Sequence, residues 1–418
     1  MKQLKNIKRT VLWLAMLFWQ HDAMSAVALR SFPPLLLSPS ENAYCMMFDH
    51  RGVLWIGTNN GLKSYDGYQV RTYRSDAYSP HLLPNNTVRS LAEDKDDRLW
   101  VGTRNGLMRF DLRTGQVTTY HLPGENQRII YTLYVDPQGR LWVGTDGGLS
   151  VYDEKTQQFH TYTNKNSWLV TPDGKRMRMT YYSVKSMVQA PNGDLIIGTW
   201  SADLLRLRRG THTFLRYPAF NAIHSAYSLC YDHRGRLWVG SWGSGVVRVD
   251  SPDDILHSTV KAYPFMTGNF DIFLSIVEDP VSHSLWAATR EGICTINAND
   301  DQAQWQRITN IDGTNLNYSN GIATDLCGNV WVLTQNNGII QTTFDRSPFL
   351  NYDLSIGQQN FPVNFVSSLY TPDGNTFWIG LNPYGIARYD RRTGATLSNH
   401  EIPGFGNIPA SALNTSFS

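Results

Sequence analysis

Cysteine is scarce in this chain, and the four present, Cys45, Cys230, Cys294 and Cys327, show no C-x-x-C spacing. Their wide separation favours buried free thiols over a disulfide framework, and no zinc-type cysteine pattern is present. Long apolar runs are missing as well: beyond the N-terminal region no segment approaches the ~18 consecutive apolar residues of a membrane-spanning helix. Catalytic signatures are also absent, with no G-x-S-x-G, no H-E-x-x-H, no phosphate-cradling glycine loop and no dedicated carboxylate pair.

An excess of either charge is lacking too. The 37 basic groups face 35 acidic ones; without residues 1–28, which carry Lys2, Lys5, Lys8, Arg9 and Asp22, 33 face 34. A near-neutral chain has no electrostatic case for nucleic acid, which requires clustered Lys and Arg.

The first 28 residues differ from everything after them. Their basic start, the apolar run Thr10–Trp19 and the small-x-small site Ala26-Val27-Ala28 read as a secretory signal peptide, which places the mature chain in the periplasm. An uncleaved anchor is the alternative, and Ala23-Met24-Ser25 is a competing cleavage site.

What the sequence has in abundance is repetition. The stretch LWIGTNNGLKSYDG (54–67) returns as LWVGTRNGLMRFD (99–111), LWVGTDGGLSVYD (141–153), LIIGTWSADLLRLR (195–208), LWVGSWGSGVVRVD (237–250), LWAATREGICTIN (285–297), VWVLTQNNGIIQTTFD (330–345) and FWIGLNPYGIARYD (377–390). The key aromatic is Trp55, Trp100, Trp142, Trp238, Trp286, Trp331 and Trp378, with Ile196 in the fourth copy, at spacings of 42 to 54 residues. Such a period signifies a repeat architecture.

Each copy opens with a short strand such as Val88–Glu93 and a turn such as Asp49-His-Arg-Gly52, Asp136-Pro-Gln-Gly139 or Asp232-His-Arg-Gly235. The L-W-x-G-T strand follows, then a glycine turn, a third strand, and a turn such as Arg113-Thr-Gly115 before the outer strand Gln116–His121. Four antiparallel strands per repeat predict an all-β fold of propeller blades, with the tryptophans as the core between blades. Copies one to seven, residues 29–350, read as a seven-bladed β-propeller, with Leu29–Leu37 available as a closing strand. Residues 351–418 read as the start of a second propeller, one blade plus a partial one. The last residues resemble the inner strand of a ninth repeat, so the chain reads as truncated.

The pattern D-x-x-G-x-L-W-V-G-T-x-x-G-L-x-x-Y-D resembles the two-component regulator propeller repeat, over roughly residues 40–405. Copies four, with Ile196 for Trp and Ala202-Asp203 for Gly-Leu, and seven, with Leu333 for Gly, depart from it. The position directly after a signal peptide, with GLKSYDGYQVRTY in the first copy, resembles the periplasmic sensor region of hybrid two-component systems. That resemblance implies a receptor anchored in the inner membrane: two propellers and a β-sandwich, then a membrane helix, a histidine kinase, a receiver and often a DNA-binding domain. It also implies an oligosaccharide ligand, control of glycan-utilisation genes, and room for a homodimer. The kinase and receiver parts are not in this chain, so the expectation is no enzymatic activity and no cofactor.

By analogy with other propellers, a ligand is expected on the face formed by the turns between the second and third strands. The variable turn residues there are Asn59, Asn60, Arg104, Asn105, Asp146, Trp200, Trp242, Arg290, Glu291, Gln335 and Asn336. Planar polar groups suit sugar hydroxyls, indoles stack on C–H faces, and Arg104 and Arg290 suit an acidic sugar. Trp168, in the long connection Thr163–Tyr182, is a further candidate, since long aromatic loops carry function or cover a neighbouring blade. Asp94-Lys-Asp-Asp97 aligns with the D-x-x-G turns and does not complete a calcium loop. His50 and His233 occupy the same turn and read as solvent-facing, not as metal ligands. A free-standing secreted propeller that binds proteins or peptides is the main alternative to a sensor, and a propeller hydrolase or lyase is a more distant one.

Overall fold

A computed structural model describes residues 30–31, 37 and 41–343 except 77, 79–81, 123–125, 180–181, 201–203, 218–224, 254–259, 264–271, 312, 326–327 and 336, together with parts of 366–398. The signal-peptide reading and the partial ninth repeat lie outside the described residues.

The described residues form strands without a helix. In five blades one side-chain hydrogen bond ties the first turn to the second strand. In the first turn an aspartate accepts backbone N–H groups two and four residues on through Oδ1, as Asp136 does from Gln138 and Arg140 at 3.1 and 2.8 Å. Its Oδ2 accepts the indole N–H of the tryptophan six residues on: Trp55 to Asp49, Trp100 to Asp94, Trp142 to Asp136, Trp238 to Asp232 and Trp331 to Asp325, at 2.7–3.0 Å. The bulk of Trp is thereby buried without an orphaned donor. Of these, Trp55, Trp100, Trp142 and Trp238 are at most 4% exposed.

The threonine of L-W-x-G-T closes the second turn. Thr58, Thr103, Thr145 and Thr289 each donate to the carbonyl of the turn glycine three residues on and accept an amide N–H from within the turn. Its glycine has a different cause, the close approach of the next blade. A Cβ on Gly57 would meet Cys45 Sγ at 2.5 Å and Val88 Cγ1 at 2.6 Å.

The inner strands of the seven blades are Ala43–Phe48, Val88–Glu93, Ile130–Val135, Val184–Gln189, Ala226–Tyr231, Phe273–Glu278 and Ser319–Thr324. Each packs on the next, and the seventh packs on the first, so the ring closes. Apolar clusters fill every junction between blades: Trp100, Leu107, Ile130 and Val143 join blades two and three, and Leu54 and Ile56 meet Leu333 and Ile339 where blade seven meets blade one. The outer strand of blade seven comes from the other end of the chain, with Arg30 paired to Thr343 and Ser31 to Thr342. Pairing the first strand with the last blade removes an open edge.

Blade four has six strands, because Trp168–Val170 pairs in parallel with Thr213–Arg216 and carries Arg176–Arg178 at its edge. The long connection is therefore a hairpin that widens a blade. Both divergent copies are compensated. In copy four Ala190 replaces the turn aspartate where Ile196 replaces Trp, so no buried carboxylate is left without its indole. In copy seven Leu333 pairs with Gly321, whereas Gly57 pairs with Cys45 and Gly102 with Ser90. The small residue has moved to the opposing strand.

The chain divides into two compact units, Met1–Asp345 and Arg346–Ser418. The second holds a four-stranded sheet, Val366–Tyr370, Thr376–Leu381, Gly385–Asp390 and Thr396–Ser398, with Phe377 packed on Ile379, Ala387 and Tyr389.

Candidate ligand site on the propeller axis

Every inner strand of the ring has a break in its ladder at the same place. Pairing with the second strand skips from Ala43 to Cys45, Val88 to Ser90, Ile130 to Thr132, Val184 to Ser186, Ala226 to Ser228, Phe273 to Ser275 and Ser319 to Gly321. A bulge frees one residue from the pleat and re-aims its side chain. The seven skipped residues are Tyr44, Arg89, Tyr131, Lys185, Tyr227, Leu274 and Asn320, and all of them line one cavity of about 410 Å³. Asn42, Trp242, Arg290, Tyr318 and Gln335 complete its wall. Its volume is that of a small-molecule site.

Three cations converge there against aromatic faces. The Arg89 guanidinium lies 5.1 Å from the Tyr44 ring and 5.6 Å from that of Tyr131, and its Nε is buried without a hydrogen-bond partner. Lys185 Nζ sits 2.9 Å from the Tyr131 ring centroid and 3.9 Å from Asp146. Burial drives its ammonium down to about 8, against the pull of Asp146 and with the help of Arg89. Arg290 covers Trp242 at 5.6 Å. Burial pushes the Tyr131 phenol up, reinforced by the nearby Asp146 carboxylate, to which it donates a hydrogen bond of 3.0 Å. The cavity is cationic, aromatic and rich in hydroxyl and amide groups.

The turn residues named from sequence divide into three sets. Trp242, Arg290 and Gln335 line the cavity. Trp200 and Asp146 stand behind it: Trp200, 39% exposed, packs edge-on against Trp242 at 5.3 Å, and Asp146 accepts from Tyr131 and from Ser183 at 2.7 Å. The others lie elsewhere. Asn59 accepts from the Asn42 amide at 3.0 Å, Asn60 donates to Glu41 of the buried Glu41–Lys63 pair, and Glu291 pairs with Arg307. Arg104 and Asn105 are exposed on their turn outside the cavity wall, and Asn336 is outside the described residues. Trp168 lies in the outer hairpin of blade four between Arg176 and Arg178, 4.3 and 3.9 Å from its ring.

Sequence reading by turns missed the skipped residues, which supply seven of the twelve wall positions. Their signal is a variable second residue in each inner strand, set before Cys45, Ser90, Thr132, Ser186, Ser228, Ser275 or Gly321.

The histidines of the first turns face solvent, as read from sequence, and each also pairs with a carboxylate. His50 Nδ1 lies 2.7 Å from Glu93, and His233 Nδ1 lies 2.6 Å from Glu278.

The two-component regulator propeller model matches residues 38–60, 82–105, 124–147 and 222–243. No curated protein matches the sequence. Among solved structures, one similar to this chain is described as the extracellular domain of a hybrid two-component system from B. thetaiotaomicron, at 20% identity and a TM-score of 0.61. The match covers 88% of this chain and 48% of that one, so this chain spans about half its length. PorZ of the type-IX secretion system of Porphyromonas gingivalis is similar at 16% identity and a TM-score of 0.57, over 88% of this chain and 60% of that one. Virginiamycin B lyase from Staphylococcus aureus is similar at 15% identity and a TM-score of 0.55, over 75% of this chain and 98% of that one. At these identities the likeness is one of fold. Four stretches of the chain thus match the two-component regulator propeller repeat, and its fold is that of a β-propeller.

Proposed function

We propose that this chain is an exported ligand-sensing propeller of a two-component receptor, and that it binds an oligosaccharide bearing a carboxylate in the axial cavity. The support is the convergence of seven bulged positions, one from each blade, on a cavity holding Arg89, Lys185 and Arg290 beside Tyr44, Tyr131, Tyr227 and Trp242. Guanidinium and ammonium groups pair with a carboxylate, while aromatic faces stack on the C–H faces of a sugar ring. The unpartnered Arg89 Nε is a donor awaiting an acceptor.

On this reading the kinase lies in further parts of the receptor, as in the hybrid systems, and the mature propeller works in the periplasm. Likeness to a lyase at 15% identity carries no catalysis to this chain.

The test is the melting temperature of the purified chain with uronate-containing and neutral oligosaccharides of matched length. A ligand bound only by the folded state raises it. The expected result is a rise with the acidic set that Arg89→Ala abolishes. A rise with peptides and with neither glycan set replaces this reading by a peptide-binding propeller.

A further inference from the structure

At the other end of the inner strand from Leu274, on the face away from the axial cavity, three side chains of two blades meet. His233 comes from the first turn of blade five, Glu278 ends the inner strand of blade six, and His283 comes from the first turn of blade six. One donor atom from each lies within 4.8 Å of the others. His233 Nδ1 is 2.6 Å and His283 Nδ1 3.5 Å from the same Glu278 oxygen, and the two imidazole rings overlap at 4.0 Å and 30°. The backbone N–H of His233 donates to that oxygen at 3.1 Å, holding the carboxylate in place. His283 Nδ1 is buried without a hydrogen-bond partner.

Blades one and two have the same arrangement with one change. His50 Nδ1 lies 2.7 Å from Glu93, but Asp97 stands where His283 does, with its carboxylate 3.6 Å from His50 Nε2. The two positions share a left-handed backbone, φ 59° at Asp97 and 55° at His283. In blades one and two a single imidazole bridges two carboxylates, which suits an imidazolium. In blades five and six one carboxylate faces two imidazoles whose rings are in contact at 4.0 Å, so three donors from two blades converge on one point.

We propose that His233, Glu278 and His283 form a three-ligand site for a divalent transition metal, zinc by ligand type, that clamps blade five to blade six. Two imidazoles and a carboxylate are a known zinc set that leaves a fourth position for water. With metal–ligand bonds of about 2.0–2.2 Å, tetrahedral donors lie roughly 3.3 Å apart, and the observed separations surround that value. Imidazole and carboxylate donors favour zinc over calcium or magnesium, which take oxygen ligands. The site is independent of the axial cavity and of what that cavity binds.

The experiment is calorimetric titration of the EDTA-treated full chain with zinc chloride, with melting curves recorded before and after one equivalent. The expected result is one zinc per chain, a higher melting temperature, and visible d–d absorption when cobalt replaces zinc. His233→Ala and His283→Asn should each weaken zinc about tenfold or more, while His50→Ala leaves it unchanged. Asn suits the left-handed position, so His283→Asn should melt like the parent without metal. No saturable binding to the parent chain, or binding that survives both variants, would overturn the proposal.

Discussion

The indole N–H of Trp100 donates to Asp94 Oδ2 at 2.7 Å, and both side chains are buried, at 1% and 6% exposure. Neither residue is tolerable alone. Asp94→Ala orphans a buried indole N–H and removes the acceptor of two backbone amides, so it should cost about 2–4 kcal/mol. Blade four offers the reverse experiment. Ala190→Asp alone buries a carboxylate without an indole donor, whereas Ala190→Asp with Ile196→Trp restores the pair. Urea midpoints of the single and double variants measure the coupling, and additive losses would show that the two positions do not communicate.

Gly144 is required by its neighbours. A Cβ there would lie 2.6 Å from Thr132 Cγ2 and 2.7 Å from Val184 Cγ1, across the junction of blades three and four. Gly144→Ala should destabilise by about 1–3 kcal/mol through overpacking. The paired change Gly144→Ala with Thr132→Gly should recover part of the loss, as Leu333 opposite Gly321 does in blade seven. Thermal melts of both variants decide this.

Lys185 is held in the cavity against its own solvation. Its ammonium is brought down to about 8 from an unfolded value near 10.5, so between those pH values the unfolded chain binds the extra proton and stability rises with pH. Below about pH 8 the penalty is fully present. Lys185→Met should therefore stabilise the unliganded chain at pH 7, by on the order of 1 kcal/mol, with a gain that fades towards pH 10. The same variant should weaken an acidic oligosaccharide. In the parent chain that affinity should fall as pH rises through about 8, which calorimetry at pH 7 and 9 would show.

The hydrogen bond that the His50 ring donates to Glu93 holds His50 above the usual histidine range, opposed by slight desolvation and assisted by the charges of Glu93, Asp97 and Asp49. The stabilisation it brings is present below the ordinary histidine pKa and is lost as pH rises through the raised one. Glu93→Gln should return the His50 titration, followed by NMR, towards the ordinary value. An unmoved titration would remove Glu93 as the cause.

Much of the blade was legible before any coordinates because its causes are local. An aspartate six residues before a tryptophan, a threonine three before a glycine and a glycine at the blade contact recur at fixed spacings, and each makes its contact inside one repeat or with the next. The ligand site was only partly legible. Trp242, Arg290 and Gln335 stood out as variable turn residues, and turns are where a chain shows its exceptions. Arg89, Lys185 and Tyr131 sit inside strands, where alternation hides them.

By itself the sequence determined the all-β class, the repeat and the buried tryptophans, since hydrophobic period and turn chemistry act over a few residues. Tertiary structure decided which side chains share a cavity. Bulges at Tyr44, Arg89, Tyr131, Lys185, Tyr227, Leu274 and Asn320 turn seven residues distant in the chain towards one axis, and closing the ring brings them together. It also decided that Arg30 and Ser31 complete the last blade, and that His233 of one blade meets Glu278 and His283 of the next. Those relationships depend on how sheets pack around a ring, and no spacing along the chain encodes that geometry.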